Sequence, residues 1–296
     1  MTAMPERHEF TIEAKDHRKR LDEFLFESFP HISRMYLREA VRDGKCEVNG
    51  LWENRGYELR TQDFIEIEID LDRHTTMVPE DIALDVVFED EALLVVNKKS
   101  GMLVHPTVGV RAGTLLNALA HHLNPQHTGD AFRRAGLIHR LDKDTSGLIL
   151  VAKTPRAHRI LSSHFQRKLV DKKYFAVVEG IIESESGEIS APIGRFEESR
   201  LWGVHPEGKE SLTKYKVRES VGDATLLELE PVTGRTNQLR IHLAHIGHPI
   251  RGDVKYGGRE FTRLCLHSAY LKFKHPADGR VLELSTEVPS DFFTAT

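Results

Sequence analysis

The segment GLIHRLDKDTSGLIL (136–150) sets seven polar side chains, His139, Arg140, Asp142, Lys143, Asp144, Thr145 and Ser146, between two apolar runs. One or two turn residues suffice to connect such runs, so the excess points to a loop that does more than connect. Asp144, Thr145 and Ser146 fit a turn that closes on Gly147, because short oxygen-bearing side chains bond to the nearby backbone. Asp142 stands two residues from Arg140, whose guanidinium favours the carboxylate form. An ionised carboxylate suits a nucleophile better than a general acid. A purely structural Arg–Asp pair has the same spacing, so these residues alone leave both readings open.

The elements around the loop must hold it. GLILVAK (147–153) has the unbroken apolar run of a buried strand, and Thr154-Pro155 cap and open a helix to about Lys168. A polar loop fed by a rigid strand is a common seat of catalytic groups. Upstream, LDVVFEDEALLVVNKKSGMLVHPT (84–107) reads as two strand runs split by Glu89-Asp90-Glu91, then a Lys-Ser-Gly turn. Thr114 caps a helix to about His122. From Tyr174 onward strands are expected at 173–179, 211–218, 225–230, 264–273 and 281–285. One helix interrupts them, capped by Thr233 or Thr236, with Leu239, His242, Leu243 and Ile246 along one face before Gly247. Few helices, many strands and no βαβ alternation predict an α+β domain on a large, mostly antiparallel sheet with flanking helices.

A smaller unit precedes it. RLDEFLFESF (20–29) spaces Leu21, Phe24, Leu25 and Phe29 as a helix that Pro30 ends. Ser33 caps a second helix with Tyr36, Leu37, Ala40 and Val41 as its buried stripe, and Gly44 stops it. CEVNG (46–50) is a strand entering an Asn-Gly turn, and DFIEIEIDL (63–71) alternates as a half-buried strand. Arg34, Arg38 and Arg42 stack on one face of the second helix, as a solvated face or as a phosphate-contacting stripe. Arg18, Lys19, Arg20 and Lys45 nearby add weight to the second reading. The expected division is 17–72 for the small unit, 73–82 for a polar linker and 83–290 for the main domain.

Composition sets outer bounds. The 296 residues are 40% hydrophobic and 29% charged, a soluble globular profile. A net charge of −4 gives no chain-wide basic excess for nucleic acid, so local clustering decides that question. Cys46 and Cys265 lie far apart without a C-x-x-C pair, which argues against a disulfide framework or a cysteine zinc site. The opening MTAMPERHEF lacks an apolar targeting run and no stretch has membrane-span length. A cytoplasmic location without a membrane partner is expected. His242, His245 and His248, with Asp253, raise a metal site and a metallohydrolase. Gly247 and Pro249 break the helix around the third histidine, so no metal is expected.

HRLDKDTSGLILVAK resembles the signature loop of the RluA-type pseudouridine synthases, which isomerise uridine to pseudouridine in ribosomal or transfer RNA. Further segments resemble that family in the same order. They are VVNKKSGMLVHP (95–106), with Lys99 where proline is usual, DKKYFAVVEG (171–180), PVTGRTNQLRIHLAHIGHPIRGDVKYGG (231–258) and LCLHSAYLKFKHP (264–276). Ahead of them, RLDEFL, ISRMYLREAVRDGKCEVNG and DFIEIEI resemble the S4 RNA-binding module, with Gln62-Asp63 where Gly-Asp is typical.

The resemblance implies the pseudouridine synthase fold and a role for each matching residue. Asp142 is the catalytic aspartate, acting at the base or at ribose C1′. Tyr174 stacks on the flipped base and assists proton removal from C5. Arg240 pairs with the catalytic carboxylate. Arg140 enters the RNA stack where the uridine has left, and His139 orients the loop beside the RNA. Arg34, Arg38, Arg42, Lys45, Lys172, Lys173, Arg235, Lys255 and the basic helix 156–168 are candidate RNA contacts. So is Asn237, which stands where histidine is usual and implies altered loop contacts. No cofactor is implied, since the glycosidic bond is broken and remade without redox change or hydrolysis. The expected partner of a monomeric enzyme is RNA, large-subunit ribosomal first and transfer RNA second. The competing reading is a non-catalytic RNA chaperone, which has no need of the Asp142/Tyr174/Arg240 set.

Overall fold

Among the described residues the strands form three sheets, one of four strands, one of ten and one of two. A computed structural model describes residues 5–29, 32, 34–70, 78–107, 110–124, 135–197 and 201–293. It divides into two units, Met1–Met77 and Val78–Thr296. Pro30 and Ser33, expected as helix stop and helix cap, lie outside the described residues, as does the first half of the expected linker, 73–77.

The first unit contains β1 (Glu6–Thr11), α1 (Leu21–Ser28), α2 (Arg34–Arg42), β2 (Cys46–Val48), β3 (Leu51–Trp52) and β4 (Phe64–Ile69). The strands form one sheet in the order β1-β4-β2-β3. Ile65, Ile67 and Ile69 of β4 are fully buried, and Leu21, Leu25, Leu37 and Val41 of the helices pack in the same core. Asn49 and Gly50 both have positive φ, 53° and 73°, as the tight turn between β2 and β3 requires. β1 was not expected. It is an edge strand with no buried residue, so it carries no apolar stripe to announce it.

The second unit runs β5 (Val86–Glu89), β6 (Leu93–Lys98), α3 (Leu115–Leu123), β7 (Gly136–Leu137), β8 (Ser146–Ala152), α4 (Pro155–Gln166), β9 (Asp171–Glu179), β10 (Ser186–Ser190), β11 (Ile193–Arg195), β12 (Trp202–Val204), β13 (Leu212–Val221), β14 (Ala224–Pro231), α5 (Gln238–His245), β15 (Leu266–Lys274) and β16 (Val281–Ser285). Its ten-stranded mixed sheet follows β10-β13-β14-β9-β15-β8-β6-β5, with β16 on β15 and β7 on β8. The short strands β10, β11 and β12 escaped the sequence pattern because each is broken by glycine or polar residues. No helix among the described residues is long and apolar enough to cross a membrane.

All seven residues of β8 are buried, because the sheet is covered on both faces. Leu148 and Leu150 pack with Ala157 and Leu161 of α4. Ile149 and Val151 pack with Leu115 and Leu119 of α3 on the other side. Thr114 and Asn117 form a reciprocal capping box at α3, and Thr154 caps α4 ahead of Pro155. The start of α5 differs from expectation. Its cap is Asn237, with φ 54°, while Thr233 Oγ instead bonds to Gln238 Oε1 at 2.7 Å. Ile246 falls past the helix end and is exposed.

β8 and β15 meet in parallel at two positions, His267 opposite Ser146 and Ser268 opposite Gly147. A Cβ on Gly147, at φ +114°, would stand 2.3 Å from the Ser268 carbonyl oxygen, so only glycine allows this approach. His267 Nδ1 is 2.7 Å from Ser146 Oγ, and its Nε2 is 2.9 Å from Thr286 Oγ1. Arg263 also donates to Ser146 Oγ. Burial, aided by the Arg263 charge and opposed by Asp291, pushes the His267 pKa down to about 4 from 6.5. The unfolded chain therefore takes up a proton first, and stability falls as pH drops from about 6.5 towards 4. The loss amounts to roughly 3 kcal/mol. Thermal melts between pH 7 and pH 4 should show this decline, and His267→Asn should flatten it even where it lowers stability at pH 7.

Candidate active site

The polar loop is pinned from outside before any of its side chains act. Lys143 and Asp144 form its exposed tip, and the Thr145 N–H donates to the Asp142 carbonyl at 3.2 Å across it. Lys98, at the end of β6, is 2% exposed. Its Nζ donates to the carbonyls of Lys99 (2.8 Å), Met102 (3.0 Å) and Lys143 (2.9 Å), using all three donors. Burial pulls its pKa down to about 8, against the pull of Asp144 and Asp142. Ser100 Oγ donates to the Asp144 carbonyl at 2.7 Å. The turn therefore closes at Thr145 through backbone bonds, not on Gly147 through side-chain oxygens as expected, and Ser146 already belongs to β8, where its hydroxyl meets His267 and Arg263. Lys98 was not singled out in the sequence, although a lysine closing the run LLVVNK was a signal.

His139 anchors the other end of the loop. Its ring stacks on Phe165 of α4, with centroids 4.8 Å apart. Its Nε2 accepts the Leu150 N–H at 3.0 Å, so Nδ1 carries the proton of the neutral ring. Burial, reinforced by Lys172, pushes its pKa down to about 3. His139 therefore orients the loop as a neutral ring and offers no charge to a phosphate.

Asp142 opens onto a cleft of about 740 Å³, lined among others by Arg140, Lys172, Tyr174, Arg235, Asn237 and Arg240. The guanidinium beside Asp142 is not that of Arg140, which is exposed at the cleft. It is that of Arg240, whose Nη1 lies 3.6 Å from Oδ2. Proximity along the chain yields here to a helix brought in by the fold. Arg240 itself is clamped by Asp253, with Nε to Oδ2 and Nη2 to Oδ1 both at 2.7 Å. The fork uses one edge of the guanidinium and leaves Nη1 for Asp142. The Tyr256 ring lies 5.0 Å from the same guanidinium. Neither Asp253, read in the sequence only as a possible metal ligand, nor Tyr256 was expected in this role.

Asn237 turns its side chain toward Asp142. With the amide nitrogen on that side it donates to Oδ2 at 2.9 Å and Oδ1 at 3.3 Å, while its oxygen accepts from the Tyr256 hydroxyl at 3.0 Å. The opposite orientation sets amide oxygen against carboxylate oxygen at 2.9 Å, a repulsion that the 3.4 Å bond then accepted from Arg240 Nη1 does not offset.

Tyr174, on β9, pairs across to Ser268 of β15 and Leu229 of β14. Burial pushes its hydroxyl up to about 12, the Ser268 side chain opposing and Asp142 adding to the shift. The next strand residues separate by face, as a period of two demands. Lys172 lines the cleft, its Nζ 5.6 Å from the Phe165 ring, with its pKa pulled down by burial. Lys173 is turned away, paired with Glu228 at 3.0 Å. Arg235 is exposed at the cleft, and its guanidinium reaches the Glu210 carbonyl at 3.4 Å.

In the first unit Arg34, Arg38 and Arg42 are all exposed on α2, and Lys45 follows the helix. Arg38 contacts Asp22 at 3.3 Å and Arg42 contacts Asp43 at 2.8 Å, so acids draw down part of the stripe's charge. Arg34 and Arg38 also lie over the Phe26 ring, at 4.9 and 5.0 Å.

The histidines of the metal alternative do not converge. His242 is buried, its ring nitrogens 3.0 Å from Thr213 Oγ1 and 3.1 Å from the Ala191 carbonyl, and His248 Nδ1 bonds to the Glu179 carbonyl at 2.8 Å. Asp253 is committed to Arg240. Among the described residues no group of three His, Cys, Asp or Glu side chains is placed to hold a metal.

Residues 92–245 match the family model described as RNA pseudouridylate synthase. A Bacillus subtilis (strain 168) protein described as an uncharacterized RNA pseudouridine synthase, YlyB, is 38% identical over 287 residues, which are 96% of this chain and 95% of that one. The ribosomal large subunit pseudouridine synthase D of Escherichia coli O157:H7 is 38% identical over 291 residues, 92% of this chain and 88% of its own. The solved structure of human RNA pseudouridylate synthase domain containing 1 superposes with a TM-score of 0.58 at 31% identity, covering 70% of this chain and 84% of that one. The chain belongs to the RNA pseudouridylate synthase family and is an RNA pseudouridine synthase, with the α+β fold of its structural neighbours.

The Arg240–Asp253 clamp yields a stability prediction. Asp253→Asn leaves a buried guanidinium without its counter-charge, so urea unfolding of the second unit should lose about 3 kcal/mol or more. A variant as stable as the native chain would show that the clamp does not hold Arg240.

Proposed function

We propose that this enzyme converts uridine to pseudouridine in large-subunit ribosomal RNA, with Asp142 as the catalytic carboxylate, Tyr174 as the ring that stacks on the target base and Arg240 as the charge beside the carboxylate. One observation carries the reading. Three side chains from separate segments, Asp142, Tyr174 and Arg240, converge on a single cleft of about 740 Å³. The ribosomal target rests on the relatives named for the large subunit, which align with most of this chain.

The reaction breaks the C1′–N1 bond, turns the uracil and joins C1′ to C5. The C5 proton leaves and N1 takes one, so nothing is oxidised or hydrolysed. The base must leave its stack to reach Asp142. A cleft with a tyrosine ring on one side and an exposed guanidinium, Arg140, at its edge suits that exchange, since Arg140 can fill the vacated place in the RNA. A phenol held up at about 12 is neutral at physiological pH. Tyr174 therefore meets the substrate as a neutral phenol, able to stack on the base and to hydrogen-bond. Arg140, Lys172 and Arg235 at the cleft give the RNA backbone cationic contacts in a chain whose net charge is −4.

The same proposal extends to the first unit, residues 17–72, as an S4-like RNA-binding module that offers Arg34, Arg38 and Arg42 of α2 to phosphates. Their common exposed face supports this reading, and their acidic neighbours limit its strength.

Two measurements test the proposal. Asp142→Asn should reduce tritium release from ribosomal RNA labelled at uridine C5 to background, whereas an undiminished rate would remove Asp142 from the chemistry. Replacing Arg34, Arg38 and Arg42 by Ala should weaken RNA binding and flatten its salt dependence, the slope changing by about 0.7–0.9 for each phosphate no longer neutralised. An unchanged slope would return the stripe to an ordinary solvated face.

A further inference from the structure

Asn237 occupies the N-cap of α5 without acting as a cap. Asparagine is among the best residues for bonding the first free N–H groups of a helix, yet no side-chain cap bond is made here. The backbone at this residue is left-handed, φ 54° and ψ 21°, a conformation asparagine tolerates better than most residues. That geometry sends the amide away from the helix and onto Asp142, where its nitrogen reaches both carboxylate oxygens at 2.9 and 3.3 Å. Behind it, the Tyr256 hydroxyl bonds to the other atom of the amide at 3.0 Å and holds the side chain in place, while the acceptor-only carboxylate of Asp142 selects the nitrogen for the side that faces it.

Distance separates the work of Asn237 from that of Arg240. At 3.6 Å the Arg240–Asp142 contact is too long for a hydrogen bond, and the short bonds of that guanidinium go to Asp253. Arg240 supplies charge beside the carboxylate, and the amide supplies direction. We infer that Asn237 is the positioning residue of the active site, a neutral donor held by Tyr256 that sets the orientation of the Asp142 carboxylate toward the substrate. This rests on the reading of Asp142 as the catalytic carboxylate.

Two variants separate positioning from mere structure. Asn237→Gly keeps the left-handed backbone without strain and deletes only the amide. Its kcat should fall about ten- to a hundredfold, the worth of a hydrogen bond to a charged group, with KM for RNA and melting temperature near native. Asn237→Asp has the same size and tolerates the same backbone, but sets a second carboxyl against Asp142. The two must then share a proton to coexist. Its kcat should fall as pH rises through the upper titration of that pair, a limb that the native enzyme lacks. The other charged or titratable groups facing this point are Arg240, Asp253, Tyr256, Tyr174 and, behind the loop, Lys98. All are shared with the native enzyme, so the difference between the two profiles isolates the pair. Native turnover in Asn237→Gly, a loss confined to KM, or a pH-independent loss in Asn237→Asp would each overturn the inference. Asp142→Asn, measured in parallel, distinguishes the two failures. An inactive Asp142→Asn beside a fully active Asn237→Gly overturns the role of Asn237 alone, and an active Asp142→Asn overturns the reading on which it rests.

Discussion

A guanidinium taken out of water must be paired, and the pairing of Arg240 with Asp253 fixes much else in this active site. The Asp253 side chain is 1% exposed and that of Arg240 12%. An unpaired charge in such surroundings costs several kcal/mol, so the fork has effectively one geometry. With Nε and Nη2 committed, Nη1 points to Asp142, and the face of the guanidinium lies against Tyr256. Tyr256 in turn holds Asn237. One buried ion pair thus orients two of the groups that surround the carboxylate, and both lie on the segment from Asn237 to Tyr256.

The sheet supplies the rest of the alignment. β8 carries the Asp142 loop, β9 carries Tyr174, and β15 lies between them, in parallel with the one and antiparallel with the other. The close contact of Gly147 with Ser268 sets how near the loop comes to the tyrosine row. Because side chains alternate along β9, a shift of one residue would exchange Tyr174 and Lys172 for Lys173 and Phe175 at the cleft. The register is therefore as much a part of the site as the residues themselves.

Much of this was legible in the sequence, though by different routes. Periodicity gave the helices and the long strands, and the polar excess in 136–150 marked the loop. The joint role proposed for Asp142, Tyr174 and Arg240 came from resemblance to a family, since no local pattern ties residues 142, 174 and 240 together. Spacing alone hid the tertiary partners. By spacing Arg140 looked like the companion of Asp142, whereas the fold places there Arg240, the partner that the family resemblance implied. Asp253 looked like a metal ligand because histidines precede it. Asn237 looked like a substitution within an RNA contact, and neither Thr233 nor Thr236 caps the helix. A side chain's reach across the fold is not written in spacing, and edge strands such as β1 bury too little to leave a pattern.

Lys98 has a consequence for how the free enzyme waits for its substrate. Its ammonium ties together carbonyls from the turn after β6 and from the tip of the loop that carries Asp142, so that the loop is ordered as part of folding. The entropy of arranging it is then not charged against RNA binding, and the carboxylate meets the substrate in a geometry already set. The knot also explains the choice of cation. Three carbonyl oxygens within 3.0 Å of one atom suit an ammonium, whose donors diverge from a single nitrogen. A planar guanidinium spreads its donors along a fork and would leave one of these buried carbonyls unpaired.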